Sequence, residues 1–323
     1  MTTDLRGCIP ILCTPFFDDF TVDYESLERQ IDWVIAEGAS GVATLALASE
    51  GYKLTESERD EITRVVVAKT AGRVPVVVSA DGGSPEVAID RALRAQRAGA
   101  NALMVLPASF VKPGPAALRD YYVRIGRAIE IPVIIQDAPQ LTGVAMGPAL
   151  WAELAREVET IKYVKAEGVP QGQTLTATLE QSEGRLKVFC GWGGLSMIDA
   201  MERGAAGSMP AANFTRFFAE IQRRFEAGDI AAAEALFQSE LPYVLWAMQS
   251  IDFSVRATKT ELQALSVFHT RTMREPWVHL DQIAEDQLAR FVTGREIRDP
   301  TDGTARAWGN DEIRKSDAPG TSE

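Results

Sequence analysis

The chain has 323 residues, 46% of them hydrophobic, and a formal net charge of −12 at pH 7. This length exceeds one typical domain, but it suits a single barrel of about 250 residues with an appendage. The acidic balance excludes nucleic acid as a partner and disfavours an anionic membrane surface, because like charges would repel.

Eight short apolar runs recur along the chain, and several are rich in Val and Ile. Most are too short to be helices, and their unbroken apolar character is typical of strands buried on both faces of a parallel sheet. The predicted strands are Cys8–Thr14, Gly41–Leu47, Val74–Ala80, Ala102–Pro107, Ile131–Gln136, Ile161–Lys165, Leu186–Cys190 and Gly204–Pro210.

Amphipathic stretches separate these runs and predict helices. Thr55 and Glu58 have the spacing of a capping box, and Gly38, Gly99 and Gly204 lie just past helix ends, where a left-handed residue is favoured. The predicted helices are Asp23–Glu37, Thr55–Thr70, Ser84–Ala98, Pro115–Ile129, Gly147–Glu157, Gln171–Glu180, Gly194–Arg203 and Thr215–Ala227.

Eight alternations of strand and helix predict an α/β fold, a closed (β/α)8 TIM barrel over residues 1–228. The sequence has no GxGxxG motif after the first strand and no P-loop, so an open doubly wound sheet is disfavoured. Residues 298–323 have few apolar side chains and predict a disordered tail. Residues 229–297 predict a C-terminal helical appendage with helices at Ile230–Ser250, Val255–Leu265 and Leu280–Thr293.

Cysteine and histidine usage predicts no metal site. Cys8, Cys13 and Cys190 are too few and too scattered for a disulfide framework, and they predict buried thiols. His269 and His279 lie far in sequence from the predicted strand ends, and no Cys/His cluster indicates zinc. Because neither a signal peptide nor a membrane span is apparent, we expect a cytoplasmic protein.

Barrels of this kind build their active site at the carboxyl ends of the strands. Lys165 ends one run, and alternation along a strand places Ile161, Tyr163 and Lys165 on one face. If that face is the barrel interior, burial lowers the lysine pKa, and the neutral amine can attack a ketone to form an iminium ion. The alternative is a lysine that only pairs with a carboxylate such as Glu50 or Glu167.

Other strand ends supply candidate substrate contacts. Each has an ordinary interpretation as a turn or a surface carboxylate, and a functional one in which side chains or backbone N–H groups meet a ligand. In the segment after the seventh strand, the indole of Trp192 would form an apolar wall. The candidates are Ala48, Ser49, Glu50, Gln136, Asp137, Gly191, Trp192, Gly193 and Pro210.

These motifs together resemble the dihydrodipicolinate synthase/N-acetylneuraminate lyase family of Schiff-base aldolases and dehydratases. The resemblance implies that Lys165 forms the imine. It also implies that no metal or organic cofactor is needed, because the iminium is the electron sink, and that the protein is a homo-oligomer, a dimer or a tetramer. The resemblance runs over residues 5–292 and is carried by Gly7–Phe16, Gly72–Ala80 and Ile161–Lys165.

The sequence departs from the family's pattern at several positions. The family's Gly-x-Thr-Gly-Glu loop is Ala46–Glu50 here, so Ser49 or backbone N–H groups near it are expected to hold the substrate carboxylate. The strand-five tyrosine that relays protons falls on Gln136, and the arginine after that strand falls on Leu141. Phe110 stands where a tyrosine usually reaches into a neighbouring subunit. These changes disfavour the lysine-biosynthetic condensation.

The altered motifs are similar to the branch that contains L-2-keto-3-deoxyarabonate dehydratase, which also lacks the tyrosine. The resemblance implies a lyase that takes a 2-keto-3-deoxy sugar acid, its small-molecule partner, onto Lys165, with Glu167 or Glu50 moving the protons. Dehydration is favoured over retro-aldol cleavage. The alternatives are a pyruvate-dependent aldolase, a dihydrodipicolinate synthase-type condensation and a non-catalytic barrel that binds a 2-oxo acid.

Overall fold

The computed structural model describes residues 4–293 and, beyond them, the backbone of residues 297–298 and 305–306. Eight parallel strands form one sheet. They are β1 (Gly7–Cys8), β2 (Val42–Thr44), β3 (Val76–Ser79), β4 (Ala102–Val105), β5 (Val133–Asp137), β6 (Ile161–Ala166), β7 (Lys187–Cys190) and β8 (Gly207–Ser208). Their order is β1-β8-β7-β6-β5-β4-β3-β2, so each strand after β1 pairs with its neighbour in sequence.

Backbone contacts around Ile11 close the sheet into a barrel. Ile11 bridges Ala211 on one side and Ala43 on the other. The Ile11 N–H donates to the Pro210 carbonyl at 2.8 Å, and the Leu12 N–H donates to the Ala43 carbonyl at 2.7 Å. Because the chain after β1 joins both edges of the sheet, the fold is a (β/α)8 TIM barrel, and the predicted fold class is confirmed.

Helices surround the sheet, and three more follow the barrel. The barrel helices are α1 (Tyr24–Ala36), α2 (Glu56–Thr70), α3 (Pro85–Arg97), α4 (Pro115–Arg127), α5 (Pro139–Thr142), α6 (Pro148–Glu157), α7 (Gln171–Gln181), α8 (Met197–Glu202) and α9 (Thr215–Glu226). The C-terminal helices are α10 (Ile230–Ala247), α11 (Ile251–Ala264) and α12 (Gln282–Thr293). Within residues 4–293, no helix is long and apolar enough to cross a membrane, and no group of three or more His, Cys, Asp or Glu side chains is placed to hold a metal ion.

The predicted tail at residues 298–323 lies outside the described residues, apart from a short antiparallel pair. That pair consists of β9 (Ile297–Arg298) and β10 (Ala305–Arg306). The division of the chain at residues 228 and 297 stays a prediction.

Local signals place the helix starts. Thr55 and Glu58 form the predicted capping box at α2, and the Asp23 carboxylate accepts the Ser26 N–H at α1. The first strand is shorter than the predicted Cys8–Thr14, because Pro10 has no N–H to donate to the ladder.

The apolar core has two layers. An inner cluster fills the barrel, and an outer cluster lies between the strands and the helices. The three cysteines belong to the outer cluster, and burial raises each thiol pKa to about 12, so the prediction of buried thiols is confirmed. The inner cluster consists of Leu5, Ile9, Ile11, Ala43, Ala46, Val77, Ala102, Met104, Ile134, Tyr163, Phe189 and Met209.

Candidate active site

Lys165 lies on β6 near the carboxyl end of the barrel. Tyr163, two residues earlier, packs in the inner cluster with its ring centroid 5.9 Å from that of Phe189. Because side chains alternate along a strand, Lys165 also points into the barrel, and it is 6% exposed. Its register neighbours are Gln136 on β5 and Phe189 on β7. The amine is therefore placed at the barrel mouth, above an apolar interior.

The prediction that Ile161 shares this face is wrong, because the alternation is interrupted inside β6. Ile161 pairs with Val133, but Tyr163 pairs with the very next residue, Ile134, so the register shifts by one residue. The additional residue, Lys162, is exposed, and Ile161 packs in the outer cluster. Such a bulge changes the direction of the side chains that precede it. The inner face of β6 therefore begins at Tyr163.

Glu167 follows β6 and brings its carboxylate back to Lys165. Glu167 Oε1 lies 2.8 Å from Lys165 Nζ, and the two side chains are 5% and 7% exposed. Gln136 Nε2 donates to the same carboxylate oxygen at 3.1 Å. The other amide atom, Gln136 Oε1, is buried without a hydrogen-bond partner among the described residues. The three side chains form one group, which we call the mouth group.

Backbone contacts and one glycine hold Glu167 in this position. The Glu167 N–H donates to the Asp137 carbonyl at 2.9 Å, and Gln140 Nε2 donates to the Glu167 carbonyl at 3.0 Å. A Cβ on Gly191 would overlap Glu167 Cγ and would lie 3.0 Å from Oε1. Glycine at position 191 therefore leaves the space that the Glu167 side chain occupies.

Asp137 is adjacent to Gln136 in β5 but lies on the opposite face. It pairs in register with Ala166, which packs in the outer cluster, and its Oδ1 accepts the Met146 N–H at 3.3 Å. Burial raises the pKa of this carboxyl to about 7. The structure therefore does not bring the Asp137 side chain together with Lys165, and its expected contact with a substrate stays a prediction.

The turn after β2 carries Ala48, Ser49 and Glu50. Ala48 packs against the inner cluster, and Ser49 is fully buried with no hydrogen-bond partner for its Oγ among the described residues. The Glu50 carboxylate accepts hydrogen bonds from Lys259 Nζ at 2.5 Å and from Lys53 Nζ at 3.0 Å. Within residues 4–293, no hydrogen bond or ion pair joins Glu50 to Lys165, so the structure separates Glu50 from the mouth group.

The turn after β7 also lies at the carboxyl end of the barrel. Trp192 and Gly193 have φ values of 49° and 62°, and Trp192 is half-buried. A Cβ on Gly193 would overlap Met248, which lies at the end of α10. Pro210, after β8, is buried, and its carbonyl takes part in closing the barrel. Ligand contacts by these residues stay predictions.

Sequence reasoning missed Lys53 and Lys259, the two partners of Glu50. Lys259 lies on α11, 209 residues away from Glu50 along the chain. Val255, Lys259 and Leu262 share one face of that helix, and all three are fully buried. The one available indication of the Lys259–Glu50 pair in the sequence was a lysine on an otherwise apolar helix face.

A buried lysine beside a carboxylate at the carboxyl end of a (β/α)8 barrel is typical of lyases that act through an imine. The model of the Dihydrodipicolinate synthetase family matches residues 4–294. The chain therefore belongs to the dihydrodipicolinate synthetase family, and it is an enzyme, a Schiff-base-forming lyase.

Relatives of known name support this assignment. L-2-keto-3-deoxyarabonate dehydratase of Azospirillum brasilense is 32% identical over 244 residues, which are 74% of this chain and 78% of the relative. Probable 2-dehydro-3-deoxy-D-pentonate aldolase YjhH of Escherichia coli K12 is 30% identical over 297 residues, 90% of this chain and 97% of that protein.

Solved structures agree with this result. YagE, an E. coli K12 prophage protein of the dihydrodipicolinic acid synthase family in complex with pyruvate, superposes with a TM-score of 0.81 at 25% identity. The match covers 88% of this chain and 96% of YagE. The resemblance stated from the sequence, to the family and to the branch with the dehydratase, is confirmed.

Proposed function

We propose that this enzyme is a hydro-lyase that dehydrates a 2-keto-3-deoxy sugar acid through a Schiff base on Lys165. The observation that carries the proposal is the mouth group, in which Glu167 Oε1 lies 2.8 Å from Lys165 Nζ and 3.1 Å from Gln136 Nε2. The two named relatives support the substrate class, because both names specify a 3-deoxy sugar acid with a 2-keto group.

Formation of the Schiff base requires a neutral amine. Glu167 accepts a proton from the Lys165 ammonium, and the free amine attacks the C2 ketone of the substrate. The 2.8 Å distance between Glu167 Oε1 and Lys165 Nζ supports a direct transfer of this proton. Glu167 then returns the proton to the carbinolamine hydroxyl, which leaves as water and gives the iminium ion.

The same carboxylate is placed for the elimination that follows. C3 is two bonds from the imine nitrogen, so a carboxylate beside that nitrogen lies near the C3 proton. Glu167 removes this proton, and the electrons of the C–H bond move toward the iminium to give an enamine. The enamine expels the C4 hydroxyl, which takes the proton from Glu167 and departs as water. Hydrolysis of the imine releases the product and restores Lys165.

Gln136 supports dehydration rather than aldol cleavage. An amide neither gains nor loses a proton at ordinary pH, so Gln136 orients groups rather than relaying protons. Its Nε2 holds Glu167, while Oε1, which has no partner among the described residues, can accept a hydrogen bond from a substrate hydroxyl. Retro-aldol cleavage would need a base at the C4 hydroxyl, and the amide of Gln136 cannot act as one.

The substrate carboxylate belongs at the turn after β2. Ser49 Oγ is buried and has no hydrogen-bond partner among the described residues. A bound carboxylate would accept the hydrogen bond that this hydroxyl can donate. Backbone N–H groups of the same turn would complete the contact. The indole of Trp192, half-buried after β7, would form an apolar wall at the same end of the barrel.

A product screen tests the proposal. Five- and six-carbon 2-keto-3-deoxy acids are incubated with the enzyme, and the products of water loss are measured against pyruvate. We expect water loss without pyruvate, and we expect Lys165→Ala to lower turnover by at least about a thousandfold, because the nucleophile is gone. Lys162→Ala is the matched control, since Lys162 is exposed on the same strand.

Other results of the screen would replace the proposal. Pyruvate as the main product would make the enzyme an aldolase, the activity in the name of YjhH. Turnover that survives Lys165→Ala would contradict the Schiff base. Binding of a 2-oxo acid without turnover of any substrate would indicate a non-catalytic barrel.

A homo-oligomer, a dimer or a tetramer, is also part of the proposal. It is supported by two apolar side chains in the loop after β4, Phe110 and Val111, which are 100% and 78% exposed. Light scattering on the purified chain measures the oligomeric state, and a monomer at micromolar concentration would contradict it.

A further inference from the structure

Glu50 has a backbone conformation that needs support. It joins two short 3-10 turns, Leu47–Ser49 and Gly51–Lys53, and its φ and ψ are 54° and 29°. This left-handed region is unfavourable for a residue with a Cβ, so surrounding contacts must hold the residue there. Ser49, which carries the orphan Oγ, is the residue directly before it.

Contacts from the C-terminal part of the chain hold the Glu50 side chain. Lys259 on α11 lies 2.5 Å from Glu50 Oε1, and neither side chain has any exposed surface. Lys259 Nζ also donates to the Thr272 carbonyl at 2.7 Å and lies 4.4 Å from the centroid of the Phe16 ring. These three contacts fix the position of the ammonium.

A second lysine, Lys53, forms a cluster with Glu50 and Lys259. Lys53 Nζ lies 3.0 Å from Glu50 Oε2 and donates to the Arg274 carbonyl at 2.6 Å, and its side chain is 5% exposed. Thr272 and Arg274 both lie in the segment between α11 and α12. The turn after β2 is therefore tied to that segment through one carboxylate and two lysine side chains.

The charge of this cluster suits an anionic ligand. Two lysine side chains face one carboxylate directly behind the Ser49 turn, in a buried setting where charges are weakly screened. Lys53 and Lys259 together carry one more positive charge than Glu50 carries negative charge, which favours an anion at this turn.

We propose that Lys259 is a positioning residue for the substrate carboxylate. It holds Glu50, Glu50 holds the Ser49 turn in its strained conformation, and the turn presents its hydroxyl and N–H groups to the carboxylate. The inference rests on the proposed function, because it assumes that a 2-oxo acid is bound at Lys165. It assigns to α11 a part in recognition of the acid and gives Glu50 a role other than proton transfer.

Titration of imine formation tests this role. Wild type and Lys259→Met are incubated with increasing pyruvate or methyl pyruvate, the imine is reduced with cyanoborohydride, and the trapped fraction is measured by mass spectrometry. The ester has the same ketone but no carboxylate. We expect Lys259→Met to raise the half-saturating concentration of pyruvate about tenfold or more, because a hydrogen-bonded charge contact is weakened. That of methyl pyruvate should change less than about twofold.

Controls separate positioning from general damage. Lys187→Met removes a surface lysine that pairs with Asp4, and it should leave both titrations unchanged. Glu50→Gln is the second variant and is nearly isosteric, so it carries the test if Lys259→Met does not fold. It should show the same selective loss for pyruvate.

Three outcomes overturn the inference, and they are distinguishable. An unchanged pyruvate titration in the folded variants would show that the cluster does not act on the carboxylate. An equal rise for pyruvate and its methyl ester would show a purely structural role. If wild type itself forms no adduct on Lys165 with pyruvate or any 2-keto-3-deoxy acid, the proposed function fails and the inference fails with it.

Discussion

Two of the buried lysine–glutamate pairs in the described part of the chain have different surroundings. Lys165 and Glu167 lie at the barrel mouth, 2.8 Å apart, beside the unpartnered Oε1 of Gln136. Lys259 and Glu50 lie 2.5 Å apart and have no exposed side-chain surface. A buried ion pair therefore does not by itself identify a catalytic lysine. The first pair is distinguished by its place on the inner face of β6 at the barrel mouth, where both side chains keep a small exposed surface.

Removal of the carboxylate from the mouth pair should have the largest effect. Glu167→Gln keeps the shape of the side chain but removes the base, so we expect turnover to fall by about 100- to 10,000-fold. Steady-state kinetics measures the loss. Glu159→Gln changes an exposed carboxylate before the amino end of β6 and should have no effect. Turnover retained in Glu167→Gln would assign the proton transfers to another group.

Removal of the lysine from the enclosed pair should affect stability more than the same change at the mouth. Lys259→Met leaves a fully buried carboxylate without one partner, and we expect a loss of about 3–5 kcal/mol in the free energy of unfolding. Lys165→Met should cost less, because Glu167 keeps the hydrogen bond from Gln136 Nε2 and has a small exposed surface. Urea unfolding measures both, and equal losses would contradict the distinction between the two pairs.

The free energy of unfolding should depend on pH through Asp137, whose side chain lies on the outer side of the barrel. Burial raises its pKa from 3.8 to about 7, so the folded protein binds this proton more tightly than the unfolded chain. The resulting stabilisation is complete below pH 3.8 and is lost as pH rises to about 7. Asp137→Asn should remove on the order of 2–4 kcal/mol of this pH dependence.

Urea unfolding at pH 5 and pH 8 measures the effect of Asp137→Asn. The variant should show a smaller difference in unfolding free energy between the two pH values than wild type does. Asp120→Asn, at an exposed position, is the control. An unchanged difference in Asp137→Asn would mean that Asp137 is ionised throughout this range.

Gly191→Ala should have the smallest effect. The added Cβ would overlap Glu167 Cγ, so the carboxylate must shift away from Lys165. We expect turnover to fall about tenfold and stability to fall by about 1–2 kcal/mol, the cost of modest overpacking. Gly83→Ala, where no atom lies within 4 Å of the added Cβ, should behave as wild type. Equal activity in both variants would show that Glu167 does not depend on the space at position 191.

The sequence predicted the parts of the site that follow from strand periodicity. Lys165 and Glu167 are two residues apart at the end of one apolar run, and the structure brings them together on the inner face. Alternation along a strand also places Gln136 and its neighbour Asp137 on opposite faces of β5, although both were candidates for substrate contact. The fold class was also predictable, since eight strand–helix units allow few other arrangements.

Two features could not be predicted, because they depend on contacts between distant segments. The register shift in β6 arises from its pairing with β5, and it places Ile161 in the outer cluster. Lys259, one of the two partners of Glu50, lies 209 residues away on α11, and no spacing in the sequence relates these two side chains. Tertiary packing decides both features. Periodicity within α11 indicates a buried lysine, but it does not identify the carboxylate with which this lysine pairs.

Chemical trapping of the imine tests the central claim most directly. The protein is incubated with pyruvate and borohydride, digested, and its peptides are weighed by mass spectrometry. We predict one reduced adduct, on the peptide that carries Lys165 and at that residue, and no adduct in Lys165→Arg. An adduct on Lys162 or Lys259 instead, or none with pyruvate and with every 2-keto-3-deoxy acid tried, would contradict the mechanism.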